Sequence, residues 1–334
     1  MKAKGDGAMK LILIMGAIAA LWGSVLEHRA APVPEPPEDY VLIVDEPAPA
    51  VAEPDAVTIL LKHGGTVEEM PLEEYLVGVV LSEMLPSFHE EAMKAQAVAA
   101  RTFAARMLEN GKHEDCTLCA SSSCCQAWKS TAELRKKLGS AYEESCGKAM
   151  AAVSATEGMV LTYGGSIIEA VYFACSGGFS EPARAVWGTD VPYLQAVESP
   201  GEEQASAYSE SVRYTFGDFQ KKLQAASPGI VIPVIPQDWV GETVRSEGGG
   251  VESMVLCGQR FTGPRLRSLF SLPSTLFELT VGNGEVVFDT RGYGHRVGMS
   301  QYGADAMARQ GSGWQEILQH YYTGIAITPM SRQQ

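Results

Sequence analysis

Uncharged, mostly apolar positions run without a break from Leu11 to Leu26 (LILIMGAIAALWGSVL), behind Lys2, Lys4 and Lys10 and ahead of Glu27. These 16 residues fall a little short of the roughly 20 that usually cross a bilayer as a helix. No small-residue cleavage pattern closes the run, so it predicts a retained anchor over 11–26 with a cytoplasmic tail over 1–10. The flanking charges place everything after it outside the membrane. From 27 to 55 prolines alternate with carboxylates and helical periodicity is lost, which predicts a semi-rigid polyproline-like tether. At Ala56 a folded pattern starts. AVTILLKH reads as a strand that turns at Gly64 and Gly65, and Leu72 to Leu85 reads as a helix stopped by Pro86. A second helix, HEEAMKAQAVAARTFAARMLEN, runs to Gly111, with Ser87 and Glu90 spaced as a capping box.

Further on, Ala141 to Thr156 predicts another helix, and GMVLTYGGSIIEAVYFACSGG predicts two strands around Gly164 and Gly165. The pattern loosens between about 200 and 274, which marks an inserted subdomain. Two short strands then flank Gly282–Gly284, and SQYGADAMARQ and WQEILQHYY close the chain as helices. Separated helices and hairpins predict an α+β fold over 56–334, with mixed helices and antiparallel strands around a substrate groove, and no regular βαβ array.

The 334 residues suffice for a large core, and 46% apolar content excludes wholesale disorder. A net charge of −14, from 40 acidic and 26 basic residues, argues against nucleic acid as a partner, because phosphates are met with Lys and Arg. The seven cysteines are an odd number, so disulfides cannot use them all.

Several clusters carry candidate chemistry. Glu83 sits among Val79, Val80, Leu81, Met84 and Leu85; a carboxyl withdrawn from water there would be harder to ionise and suited to general acid work, although a solvent-facing glutamate at a helix end fits the same pattern. Lys94 and Arg101 lie two helical turns apart on one face, where they can meet an anionic or hydroxyl-rich ligand or simply pair with Glu90 and Glu91. GYGHRVGMSQYGA (292–304) gathers His295, Ser300, Gln301 and Tyr302 among glycines, with Ser300 also placed to cap the next helix. CSGG from Cys175 makes a third loop, and Cys175 with His295 is conceivable as nucleophile and base. In HEDCTLCASSSCCQAW, His113, Cys119 and Cys125 follow H-x5-C-x5-C; this suits a structural metal, while a disulfide among these cysteines is the competing reading and Cys116 and Cys124 confuse the count.

Taken together, YLVGVVLSEM, HEEAMKAQAVAARTFA, the H-x5-C-x5-CQ loop, YFACSGGFS with a following W-x5-YL, GYGHRVGMSQYGA and ILQHYYTG resemble the stage II sporulation protein D family. The resemblance runs in order from about Leu72 onward. It implies a membrane-anchored lytic transglycosylase that cuts peptidoglycan in the space between mother cell and forespore during engulfment. The implied substrate is glycan strands lacking stem peptides, and the implied partners are a cell-wall amidase or endopeptidase and a membrane scaffold. Carried onto this chain, the family's catalytic glutamate falls on Glu83. Its basic helix positions fall on Lys94 and Arg101, and its groove positions on Tyr172, Ser176, His295, Ser300, Gln301 and Tyr302. A structural Zn²⁺ found in some members falls on His113, Cys119 and Cys125. Where the family reads GHGVGMSQ this chain carries Arg296, which is expected to narrow the groove or add a sugar contact. The motif set also resembles amidase enhancers, which implies a glycan-binding activator without cleavage as the alternative.

Overall fold

The computed structural model describes residues 56–330, so the expected tail (1–10), anchor (11–26) and tether (27–55) lie outside the described residues. The first apolar run forms strand β1 (Thr58–His63), which turns at Gly64–Gly65 into β2 (Thr66–Pro71) with Thr58 opposite Pro71. Helix α1 (Leu72–Glu83) follows, with Glu73 and Glu74 on the positive end of its dipole. It ends two residues earlier than its apolar pattern, because Met84 is already extended ahead of Pro86. Helix α2 (Glu90–Asn110) starts where expected but is capped by the His89 ring, whose Nδ1 accepts from the Glu91 amide, and not by Ser87.

Almost every position of α2 from Ala92 to Ala105 is buried. A helix buried on all sides needs small side chains wherever a neighbour approaches, and the alanines supply them. Around it stand α1, then α4 (Tyr142–Ala155), strand β4 (Met159–Tyr163) and the last two helices, α8 (Gln301–Arg309) and α9 (Trp314–Tyr321). Between α2 and α4 come β3 (Leu118–Cys119), parallel to β1, and α3 (Thr131–Leu138), which carries a full Ser130–Glu133 capping box. Strand β5 (Ser166–Ile167) completes a hairpin with β4, whose other edge pairs with β14 (Ala326–Pro329). The two-residue strand β6 (Tyr172–Phe173) lies parallel to β13 (Met299–Ser300).

A second hydrophobic core lies in the middle of the chain. After α5 (Ala183–Trp187) come β7 (Ser209–Thr215), α6 (Phe216–Ala226), β8 (Val240–Arg245), β9 (Val251–Leu256), β10 (Gln259–Thr262) and α7 (Gly263–Leu269), then the hairpin β11 (Leu276–Gly282) and β12 (Glu285–Arg291). Strand order β11-β12-β7 makes one antiparallel sheet and β10-β9-β8 another. Phe219 stacks on Trp239 and Phe270 at the centre, and Phe277, Val286 and Phe288 join from the hairpin, so this core reaches beyond residue 274. The fold is α+β, and no helix among the described residues is long and apolar enough to cross a membrane.

Candidate functional site

Glu83 closes α1 with its carboxyl half-buried. Its Oε1 accepts the Ala127 amide at 2.8 Å, and its Oε2 faces the Gln301 side-chain amide at 3.5 Å. Burial pushes its pKa above the usual carboxylate range; the Ala127 and Gln301 donors and the nearby Lys137 ammonium pull the other way without cancelling the rise. Gln301 also reaches Gln96 Oε1 at 3.4 Å. Next to this group, the Tyr172 hydroxyl and Gln96 Nε2 are buried without a hydrogen-bond partner, and burial together with the Glu83 charge raises the phenol well above its ordinary value. Orphaned polar atoms are rare in a folded interior, and these two lie beside a carboxyl whose pKa is raised, which makes the group a candidate site.

The amide that holds Glu83 is delivered by the cysteine loop. Ring nitrogen or sulfur atoms of His113, Cys119, Cys124 and Cys125 all lie within 4.8 Å of one another, with His113 Nε2 at 3.2 Å from Cys125 Sγ and 3.7 Å from Cys124 Sγ. Tetrahedral zinc with Zn–S of about 2.3 Å sets its ligand atoms roughly 3.8 Å apart, and one imidazole with three thiolates is a familiar structural donor set. The cluster can hold a metal, and Cys124 belongs to it alongside the three residues picked out by spacing. All seven cysteines are free thiols, so no disulfide staples the loop. Directly after Cys125 the chain is pinned a second time: Gln126 accepts from the Tyr75 hydroxyl and donates to the Ala100 carbonyl, and Ala127 then meets Glu83.

A different carboxylate organises the glycine-rich loops. Glu202, almost wholly buried, accepts from six donors: Oε2 takes the Ser176 and Gly177 amides, the Ser176 hydroxyl and the Cys175 thiol, and Oε1 takes the Ser199 and Ser300 hydroxyls. Ser300 meanwhile caps α8 through the Gly303 amide at 3.2 Å, which sets Gln301 on the first turn facing Glu83. Ser176 and Ser300 are therefore fully buried supports of the loops, not surfaces of a groove. Cys175 is buried too. Burial and the Glu202 carboxylate push its thiol up to about 12, and its hydrogen bond goes to Glu202 and not to His295, so the cysteine–histidine pair is not assembled. Gly298, at φ +79°, approaches Val171 so closely that a Cβ would lie 2.1 Å from its carbonyl oxygen.

The remaining positions divide. Arg101 is fully buried and commits every N–H: two to Glu73, the rest to Thr156 Oγ1 and the carbonyls of Met159 and Val153. It clamps α1, α2 and α4 together and has no donor left for a ligand. Lys94 pairs with Glu91 at 2.6 Å on its own helix, as the surface reading had it. Tyr302 remains half-buried, its ring against Phe88 and its hydroxyl 3.3 Å from Ser206. His295 packs between Phe173 and Trp187; burial and the Arg267 charge lower its pKa to about 4, so it is a neutral ring at ordinary pH. Arg296 neither narrows a groove nor offers a sugar contact: it is buried, pairs with buried Glu181 at 2.8 Å and donates to the carbonyls of Ser176, Phe179 and Gly248. Its φ of +65° is one that glycine adopts without strain. Sequence reasoning passed over Gln96, Gln126 and Glu202, and left Cys124 outside the ligand set as a residue that confused the count. Gln96 and Gln126 stood inside quoted motifs without being singled out, and Glu202 sat in an acidic stretch that gave no sign of being interior.

Comparison of the sequence with known proteins gives the chain its family. The stage II sporulation protein family profile matches residues 62–163. The stage II sporulation protein D of Bacillus amyloliquefaciens is 38% identical over 82% of this chain and 79% of its own length, and that of Bacillus subtilis is 37% identical over 83% and 80%. The amidase enhancer of Bacillus subtilis is 28% identical over 76% of this chain and 40% of its own length. The chain belongs to the family of stage II sporulation protein D and the amidase enhancers.

Proposed function

We propose that the protein is a peptidoglycan lytic transglycosylase of endospore formation, with Glu83 as its single acid and base. The observation that carries this reading is the asymmetric setting of the Glu83 carboxyl. Oε1 is engaged by a backbone amide, so the proton sits on Oε2, the oxygen with only a long contact to Gln301. Burial raises the pKa of the group, which favours its holding that proton longer than an exposed glutamate does. Glu83 gives it to the oxygen leaving from N-acetylmuramic acid as the C1–O bond breaks. The resulting carboxylate, steadied by Ala127 and Gln301, then takes the proton of the same sugar's 6-hydroxyl while that oxygen bonds to C1. The product is a 1,6-anhydro ring, and water takes no part.

Tyr172 and Gln96 offer unpaired polar atoms beside Glu83 for sugar hydroxyls, and Tyr302, next in the chain to Gln301, is half-buried. A Zn²⁺ held by His113, Cys119 and Cys125, with Cys124 as the fourth ligand, is structural and fixes the loop that delivers the Ala127 amide. Glycan strands without stem peptides, an amidase partner, a membrane scaffold and a position between mother cell and forespore complete the reading.

Purified full-length protein incubated with denuded glycan should release fragments ending in 1,6-anhydro-muramic acid, detected by mass spectrometry, and Glu83→Gln should abolish release while glycan binding persists. Unchanged release by the variant would refute the assignment. The likeness to an amidase enhancer supports a second reading, a glycan-binding activator of an amidase; it predicts binding with no anhydro product from either protein.

A further inference from the structure

A cavity of about 250 Å³ opens beside His295, away from Glu83, lined by Val186, Pro264, Arg267, Ser268, Leu272, Thr275 and His295. It lies where the second core meets the α5 segment and the GYGHRVG loop. Arg267 is its one cation. Nε donates to the Pro273 carbonyl at 3.2 Å, while Nη1 and Nη2 have neither a hydrogen-bond nor an ion-pair partner among the described residues. Burial lowers the Arg267 pKa, as expected of a guanidinium without a compensating carboxylate. Arg267 is only partly buried, so these nitrogens are free to meet an anion that enters the cavity.

Two exposed aromatic residues stand beside lining residues. Trp187 is 47% exposed with its ring centroid 5.5 Å from that of His295, and Tyr293 is 51% exposed and close enough to act on the Arg267 charge. Ser268 and Thr275 add hydroxyls. Neutral His295 leaves Arg267 as the sole fixed charge of the lining. A volume just under the usual range for drug-sized ligands fits one ring with its substituents, and flat exposed aromatic faces beside polar groups suit a pyranose. We propose that this cavity is a second sugar site, which takes a carboxylate-bearing amino sugar with Arg267 on the carboxylate and Trp187 against the ring. The inference rests on the glycan reading above in naming N-acetylmuramic acid, whose lactyl group carries the required carboxylate once the stem peptide is gone. Strand β6 links the two places: Tyr172 sends its side chain toward Glu83, and Phe173 packs on His295.

Calorimetric titration of the full-length protein with three probes tests it. N-Acetylmuramic acid should bind saturably and at least tenfold more tightly than N-acetylglucosamine, which lacks the carboxylate, or lactate, which lacks the ring. Arg267→Gln and Trp187→Ala should each weaken the muramic acid affinity about tenfold or more, and Arg267→Lys should recover part of the loss, which separates lost contact from lost fold. Equal binding of the two sugars, lactate binding as tight as muramic acid, no binding at all, or an unaffected Arg267→Gln variant would each overturn the proposal. A monosaccharide has no glycosidic bond to cut, so the titration reads the cavity whether or not Glu83 cleaves glycan.

Discussion

Glu202 is the group whose removal tests the site's architecture most directly. Of its six donors, two are backbone amides, Ser176 and Gly177, which cannot turn into acceptors. In Glu202→Gln the side chain must therefore put its carbonyl at the Oε2 position and its NH2 toward Ser199 and Ser300. Both serines can reverse: Ser199 can donate to Tyr321 and Ser300 to the Ala174 carbonyl. What is lost is mainly charge assistance on four bonds, at about 1 kcal/mol each, partly offset because a neutral amide costs less to bury. The expected net cost is about 2 kcal/mol. Glu202→Ala instead orphans both amides, at about 1–3 kcal/mol each, and leaves a void, for a loss of about 4 kcal/mol or more. For a domain of this size, thermal unfolding should shift down by roughly 3–4 °C for Gln and about 7 °C or more for Ala. Scanning calorimetry of the two variants beside the parent reads this. An alanine variant within 2 °C of the parent, or a glutamine variant worse than alanine, would refute the hub.

Folding raises the Glu83 pKa, so its contribution to stability is present below the ordinary glutamate range and lost as pH rises through the raised value. Chemical denaturation should accordingly find Glu83→Gln gaining on the parent toward neutral pH, and Lys137→Met, which removes a cation that lowers the Glu83 pKa, should move the parent's loss to higher pH; parallel pH profiles would contradict both. In Arg296→Gly, relief of the positive φ gains about 1 kcal/mol while stranding buried Glu181 costs about 3–5 kcal/mol, so denaturation should show a clear net loss, and a stabilised variant would show the ion pair to be dispensable. Metal analysis should find about one Zn²⁺ per chain, with lower affinity in Cys124→Ser as well as His113→Ala; an unchanged affinity in Cys124→Ser would remove it from the ligand set.

The elements were legible because apolar periodicity, Pro86 and the paired glycines at 64–65, 164–165 and 282–284 mark them locally. Burial within an element was not. The seven-residue spacing of Lys94 and Arg101 shows that they share a face, but it does not show that the lower end of that face is covered by α1 and α4, which turns Arg101 into an interior clamp. Ser176 and Ser300 lie in loops that look ligand-facing in sequence because glycine-rich turns usually are; here the glycines serve close packing around a carboxylate supplied from 26 residues beyond Ser176. The raised pKa of Glu83 follows from its apolar neighbours, as the sequence suggested, yet the partner of its carboxyl is a backbone amide, which has no sequence signature at all.

The short stretch from Cys125 to Ala127 has a consequence for how the site holds together. With only Gln126 between the sulfur and the amide, the thiol cluster and the acid are joined by a link too short to go slack. Whatever displaces the sulfurs therefore also shifts the amide that Glu83 accepts from, so the order of the loop and the setting of the carboxyl stand or fall together.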